Sequence, residues 1–337
     1  MDIRQQALEQ WLRHQFPMFQ MQPLQGDASF RRYFRVQVEN KSYIAMDAPP
    51  DRENCIPFVA IAKALHNIGL NTPIIVANDL SQGFLLISDF GDALYLKELN
   101  STNAEVLYGR ALDALAILQT CKQVDGWTLS PFTATFMRQE LELYKEWFLQ
   151  KHLKVMLTSQ TEAQLATAFD FLAQSSANQP QVFMHRDYHS ANLMVLPDDQ
   201  VGILDFQDAF IGPVTYDLVS LLRDCYITWP DELVVKLVLQ YKEKLNLSTV
   251  SNEEFLRWFD LMGLQRHLKA LLTFSRKFHR DNNANYLQHI PRTLDYIASV
   301  SARYPECRIL NELALESVHK LRHCERERSN PGSIGIA

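Results

Sequence analysis

The sequence predicts an α+β chain of two lobes: a small antiparallel-β lobe over residues 1–92 and a larger, mainly helical lobe over 93–323. Three observations predict it. Strand-type alternation and short apolar runs are concentrated before Asp92. Helical spacing of apolar residues dominates after it. One compact non-helical island interrupts the helices between Val182 and Asp205.

The elements follow in order. Residues 2–15 place Leu8, Trp11 and Leu12 on one helical face. Tyr33 to Val38 alternates, Glu39-Asn40-Lys41 turns the chain, and Ser42 to Met46 follows, which is a hairpin pattern. Phe58, Ile61, Ala62 and Leu65 predict a helix over 57–68. Pro73–Val76 and Phe84–Ile87 are apolar strands on either side of a turn from Asn78 to Gly83. Thr102-Asn103-Ala104-Glu105 has the capping-box pattern, followed by the stripe Leu107, Ala111, Ala114, Leu115 and Leu118. Further helices are predicted over 132–152, 161–176, 215–226, 231–244, 252–278 and 284–304. Within the island, 182–184, 193–196 and 201–204 are short strands around polar loops. The stretch 324–337 is polar, then contains Gly and Pro, and is expected to be a disordered tail.

Bulk properties narrow the class. The chain has 337 residues, 47% hydrophobic and 21% charged, so it holds ample material for a core. A net charge of −6 argues against broad nucleic-acid binding. The five cysteines include no CxxC pair, which points to reduced thiols rather than a disulfide framework or zinc site. The first six residues lack the apolar core of a signal peptide, and no apolar run is long enough to span a bilayer. The expectation is a cytoplasmic protein with small-molecule partners, no membrane and no evident obligate protein partner.

The chemistry is concentrated in His185-Arg186-Asp187-Tyr188-His189-Ser190-Ala191-Asn192, followed by Asp205-Phe206. Phosphoryl transfer needs oxygen ligands for Mg2+, and a carboxylate to orient the acceptor hydroxyl and take its proton. Asp187 lies in the loop after the first island strand. Asn192 directly precedes the second, and Asp205 ends the third. A strand–turn–strand hairpin brings its ends together, so Asn192 and Asp205 share one metal site with Asp187 across from it. The spacing matches the kinase pattern H-R-D-x-x-x-x-N plus a metal aspartate. The catalytic candidates are Asp187 and His185, and ATP is the expected co-substrate. Asp89-Phe90-Gly91 spells the kinase metal triplet but precedes the catalytic loop by about a hundred residues, so Asp205-Phe206-Gln207 is its true counterpart. Residues 87–91 are read instead as an inter-lobe connection whose backbone meets a nucleobase, or as a plain strand-end turn.

The same block, with Gly212-Pro213 and Tyr216-Asp217-Leu218, resembles the aminoglycoside phosphotransferase and choline kinase superfamily. The resemblance covers roughly 20–310 and implies a two-lobed, protein-kinase-like fold. It also implies that Asp217 supports the catalytic region without reacting. Gly26-Asp27-Ala28-Ser29-Phe30-Arg31-Arg32-Tyr33-Phe34-Arg35, Met46-Asp47-Ala48-Pro49-Pro50 and Gln265-Arg266-His267-Leu268-Lys269 resemble, more narrowly, bacterial N-acetylmuramate/N-acetylglucosamine anomeric kinases of peptidoglycan recycling. The residues alone leave the acceptor open between a sugar hydroxyl, an aminoglycoside and an amino alcohol. They also leave open a regulatory, nucleotide-binding pseudokinase.

One departure stands out. Kinases carry a lysine on the third strand that holds the nucleotide phosphates. Here Ser42-Tyr43-Ile44-Ala45-Met46-Asp47 has no cation at an inward position. The nucleotide-binding candidates are therefore Ser29, Phe30, Arg31, Arg32 and Asp89, with one of the two arginines compensating or both being solvated hairpin charges. Substrate-binding candidates are His189, Asp208 and Arg266. Arg266, His267 and Lys269 form a basic cluster on an apolar helix that binds substrate or is merely solvated or paired.

Overall fold

The computed structural model describes residues 2–24 and 30–329. The chain forms two compact units, one made of the residues up to Ser130 with His185–Phe210, the other of Pro131–Met184 with the chain from Ile211 onward. This differs from the expected boundary at 92/93. Backbone pairing, described below, carries 185–210 into the first unit.

The first unit is built on a five-stranded antiparallel sheet of β1 (Gln20–Pro23), β2 (Arg32–Val38), β3 (Lys41–Asp47), β4 (Ile75–Asp79) and β5 (Phe84–Ser88), in the order β1-β2-β3-β5-β4. Helix α1 (Ile3–Gln15) starts on Asp2, whose carboxylate accepts the Gln5 N–H at 2.7 Å. Its Leu8 and Leu12 are fully buried against Phe34, Val36, Ala45, Phe84 and Leu86. Strand alternation therefore turns Tyr33, Arg35, Ile44 and Met46 to the opposite face. The β2–β3 hairpin is as predicted, with Tyr33 opposite Met46 and Arg35 opposite Ile44. β1 was not legible, because Gln-Met-Gln-Pro has no apolar alternation; it is ordered by pairing with β2. Between β4 and β5, Gly83 has φ +72°, and a Cβ there would sit 1.8 Å from the Ala48 carbonyl oxygen. Only glycine allows that approach.

Helices α2 (Ile56–Asn67), α3 (Tyr95–Glu98) and α4 (Ala104–Leu118) complete the stretch before Ser130. The predicted apolar stripe of α4 is buried. Its capping box does not form: the Thr102 hydroxyl donates to Asn100 Oδ1, and Asn103 Oδ1 accepts from the Asn100 N–H instead. After β6 (Ser130–Pro131) and β7 (Gln181–Met184) the chain makes the hairpin of β8 (Leu193–Val195) and β9 (Val201–Ile203). That hairpin is tied to the sheet unit by Ile203 N–H to Asn71 O and Val195 N–H to Ala93 O, both 2.8 Å. A side-chain contact reinforces it. A Cβ on Gly202 would lie 2.8 Å from the Phe90 ring, so Phe90 packs directly on that glycine.

The second unit is mainly helical. It contains α5 (Ala134–Tyr144), which runs into a π-helical stretch Lys145–His152, and α6 (Ser159–Ala177). Strand β10 (Phe210–Pro213), absent from the sequence reading, lies between β6 and β7. Helices α7 (Tyr216–Leu222), α8 (Asp231–Lys244), α9 (Asn252–Asp281), α10 (Ile290–Ser301) and α11 (Arg308–Ser329) follow. α7 is shorter than the predicted 215–226. α11 corrects the expected tail: 324–329 continue a helix, and 330–337 lie outside the described residues. No described helix is long and apolar enough to cross a membrane. Cys55, Cys121, Cys225 and Cys307 are buried and unbridged.

Inside this unit Asp260 is nearly fully buried and holds Arg223 at 2.8 Å, Arg303 at 3.1 Å and the Tyr304 hydroxyl at 2.7 Å. His267 is stacked on Tyr296 at 4.8 Å and hydrogen-bonds the Arg223 carbonyl at 3.0 Å. Burial, together with the charges of Arg266 and Arg223, pushes its imidazole down to about 3. In the first unit, burial likewise pushes His185 down to about 4.

Two predictions follow from this packing. Gly202→Ala should cost about 1–3 kcal/mol in urea unfolding by overpacking, and Phe90→Leu in that background should recover part of it. Equal stability of wild type and Gly202→Ala would exclude the contact. The two buried histidines are neutral in the folded state. Their stabilisation is therefore full above the ordinary value of 6.5 and is lost as pH falls from there toward about 4 for His185 and about 3 for His267. Stability should decline across that window by up to about 1.4 kcal/mol per pH unit for each group, with a shallower slope in His267→Gln. A pH-independent midpoint between pH 7 and 4.5, read by thermal unfolding, would contradict this.

Candidate active site

The predicted reactive positions come together within the first unit. The loop from His185 to Asn192 connects β7 to β8, and Asp205 follows β9. His185 ties the two pieces. The Asp187 N–H donates to its Nδ1 at 3.3 Å, so its Nε2 carries the proton and donates to the Leu204 carbonyl at 2.9 Å. Tyr188 anchors the loop to α4 by donating its hydroxyl to the Ala111 carbonyl at 2.8 Å. Inside the loop, the Asp187 carbonyl accepts from the His189 N–H and from Asn192 Nδ2, both at 3.0 Å. The Leu204 N–H donates to the Asn192 carbonyl at 3.0 Å. Arg186 and Asp205 hold φ +80° and +60°, a left-handed conformation that non-glycine residues adopt at a cost.

The electrostatics suit a cation. Asp205 Oδ1 accepts from Gln207 Nε2 at 2.6 Å, and Asp205 Oδ2 lies 3.4 Å from Asn192 Nδ2. Crowding by protein raises the Asp205 carboxyl above its ordinary range, and the Asp187 and Asp208 charges add to this; Gln207 and Arg31 oppose it. With its amide nitrogen held by the Asp187 carbonyl, Asn192 has its Oδ1 left for a hard cation. Among the described residues no three His, Cys, Asp or Glu side chains form a metal cage. Asp205 and Asn192 are the donor types magnesium takes, one or two carboxylates with the shell completed by substrate phosphates and water.

The other expected residues separate. Gly26 to Ser29 lie outside the described residues, so the Ser29 expectation does too. The Phe30 N–H donates to Glu53 Oε1 at 3.3 Å. Arg31 is largely shielded, pairs with Glu53 at 3.0 Å, and lies in electrostatic reach of Asp205 and Asp208. Arg32 instead joins Arg4 on the buried Asp47 and pairs with Asp2, so it is a structural charge. Asp89 is also structural through its side chain: it accepts from Arg35 at 2.7 Å, from the Gly91 N–H at 2.8 Å, and from the Ser42 hydroxyl. Residues 87–91 lie inside the first unit, with Phe90 on Gly202.

His185, expected in a catalytic role, is fully buried and positions the loop instead. Asp208 is exposed and His189 half-buried, both in the first unit. Arg266 belongs to the second unit, where it is buried and donates to Ser220. Lys269 donates to the Tyr216 hydroxyl at 3.3 Å, so the basic cluster on α9 is internally paired rather than a solvated face. Asp217 is fully buried in α7. Sequence reasoning missed Glu53 and Gln207. Glu53 carries no periodic signal, whereas Gln207, two residues after Asp205, was in view without a role.

Comparison with known proteins agrees with this geometry. Residues 20–259 match the phosphotransferase enzyme family. The chain is 43% identical to an N-acetylmuramate/N-acetylglucosamine kinase of Pseudomonas aeruginosa over 302 residues, 88% of each chain. It is 39% identical to the protein of that name from Pseudomonas putida, covering 94% of this chain and 97% of that one. It is 37% identical to the one from Neisseria meningitidis, covering 94% and 96%. Among solved structures, the choline kinase LicA of Streptococcus pneumoniae superposes with a TM-score of 0.62 at 13% identity, over 88% of this chain and all of that one. An ADP-bound aminoglycoside phosphotransferase superposes with a TM-score of 0.60 at 13% identity, over 89% and 99%. The fold is therefore kinase-like and two-lobed in type, and the chain belongs to the phosphotransferase enzyme family.

Proposed function

We propose that this kinase transfers the γ-phosphoryl group of Mg-ATP to the anomeric hydroxyl of N-acetylmuramate or N-acetylglucosamine, a step in cytoplasmic peptidoglycan recycling. The observation that carries the reading is the joint geometry of Asp187, Asn192 and Asp205, held by one loop and the docked hairpin it leads into, in a chain whose relatives bear that kinase name. Asp187 orients the acceptor hydroxyl and takes its proton as the bond to phosphorus forms. Asn192 Oδ1 and the Asp205 carboxylate hold magnesium, which when bound neutralises the phosphate oxygens and the charge that develops on them. His185 fixes the height of the loop against Leu204. Phe30 and Arg31 face the nucleotide, and Asp208 and His189 contribute to the acceptor side.

A second reading, a regulatory pseudokinase, draws on Ile44 and Met46 standing where a strand cation is expected. The intact triad weighs against it. Acceptor assays separate the readings. N-acetylmuramate and N-acetylglucosamine, incubated with the protein and Mg-ATP, should yield ADP and an anomeric phosphate signal in phosphorus NMR. Retained Mg-ATP binding with no turnover on any sugar, aminoglycoside or amino alcohol would favour the pseudokinase. Asp187→Asn should lower kcat by about 10²- to 10⁴-fold while leaving Mg-ATP affinity, read by calorimetry, within a few-fold. Substantial residual turnover would remove Asp187 from its role.

A further inference from the structure

The strand that should hold the phosphates has no inward cation, since Lys41 stands exposed at its hairpin end, so the charge must come from elsewhere if the nucleotide reading of this site is right. On β3 the face opposite α1 carries Ile44 and Met46. Met46 is the register partner of Tyr33 on β2. Arg31 lies two residues before Tyr33, is hydrogen-bonded to it, and is acted on by Asp205 and Asp208. A positive charge thus stands within electrostatic reach of Asp205, delivered from the start of β2 instead of β3.

The nearby cations do not fill this place. Arg32 and Arg4 are held by Asp47 and Asp2. Arg35 is clamped by Asp89 at 2.7 Å and Asp92 at 2.9 Å. Arg52 is more than half exposed, over the Phe30 ring. Arg31 differs because it is shielded and lies within electrostatic reach of Asp205.

An arginine near Asp205 and Asp208 would tend to settle on them and block the metal. Glu53 counters this by holding the guanidinium from another side at 3.0 Å, with both side chains less than 15% exposed. It also accepts the Phe30 N–H, which ties down the end of the loop that leads into β2. Glu53 stands three residues before α2. In protein kinases a strand lysine is held by a glutamate of the helix that follows. Here the same pairing of a cation with an acid near that helix occurs, with both members displaced along the chain.

We propose that the Arg31–Glu53 pair replaces the absent strand lysine and its helix glutamate: Arg31 binds the nucleotide phosphates, and Glu53 is the positioning residue that aims it. Arginine suits this because its planar fork can bond two phosphate oxygens while another edge stays on the glutamate. The proposal rests on the nucleotide-binding reading above.

The test uses the full chain. Arg31→Gln, Arg31→Lys, Glu53→Gln, Glu53→Asp and the Arg31→Gln/Glu53→Gln double variant are compared in ADP release, with ATP and N-acetylmuramate varied separately. Mg-ATP affinity is measured by calorimetry, and folding is checked by circular dichroism. Arg31→Gln should raise the KM for ATP and lower kcat by about 10²-fold or more, with Arg31→Lys retaining part of the loss. Glu53→Gln should raise the KM for ATP by about tenfold with the sugar KM unchanged, and Glu53→Asp should restore most of it. The double variant should be no worse than Arg31→Gln, because Glu53 acts through Arg31. A folded Arg31→Gln with unchanged Mg-ATP affinity overturns the proposal, as do effects that simply multiply in the double variant. Wild-type protein that binds Mg-ATP but transfers no phosphate would instead refute the kinase reading, and the calorimetric loss in Arg31→Gln would still decide the pair.

Discussion

The site depends on the docking of one small hairpin. β8 and β9 carry Asn192 at one end and Asp205 at the other, yet three-residue strands cannot hold a geometry alone. They are held by backbone bonds to Asn71 and Ala93 and by Phe90 packed on Gly202. This contact gives the triplet Asp89-Phe90-Gly91 its purpose. Its aspartate anchors Arg35, while its phenylalanine presses on the hairpin that runs from Asn192 to Asp205. The turn after β5 and the β8–β9 hairpin are thus parts of one packed assembly.

Upon that assembly sits an unfavourable charge arrangement. Shielding from water raises the Asp205 carboxyl, the charges of Asp187 and Asp208 add to this, and Arg186 and Asp205 adopt left-handed backbone. Such strain is kept where surrounding structure imposes it. Here the constraints are the buried His185, which holds both Asp187 N–H and Leu204 O, and Tyr188 anchored on α4. Arg31 and Gln207 offset part of the repulsion, and a bound cation would offset the rest.

The second unit spends its charges differently. Arg223, Arg303 and Tyr304 converge on buried Asp260, and Arg266, His267 and Lys269 make internal contacts. Buried ionic groups must be paired, since an isolated charge in low dielectric is too costly. A run of basic residues along an apolar helix therefore says little by itself about a ligand.

Much was determined by the sequence alone. Alternation in Tyr33–Val38 and spacing in α1, α2 and α4 located those elements, because local burial imposes a period that the residues must carry. The order His185, Asp187, Asn192, Asp205 already implied that these residues meet, because one loop and one short hairpin place them. Only the tertiary structure separated Arg31 from Arg32, adjacent in the chain but facing Glu53 and Asp47 respectively. It alone gave His185 a positioning role and joined residues 185–210 to the sheet unit. β1 and β10 likewise exist through pairing with distant strands. The physical reason is common to all of these: a side chain's charge or ring is written in the sequence, but the partner that uses it lies tens of residues away, and only folding brings the two together.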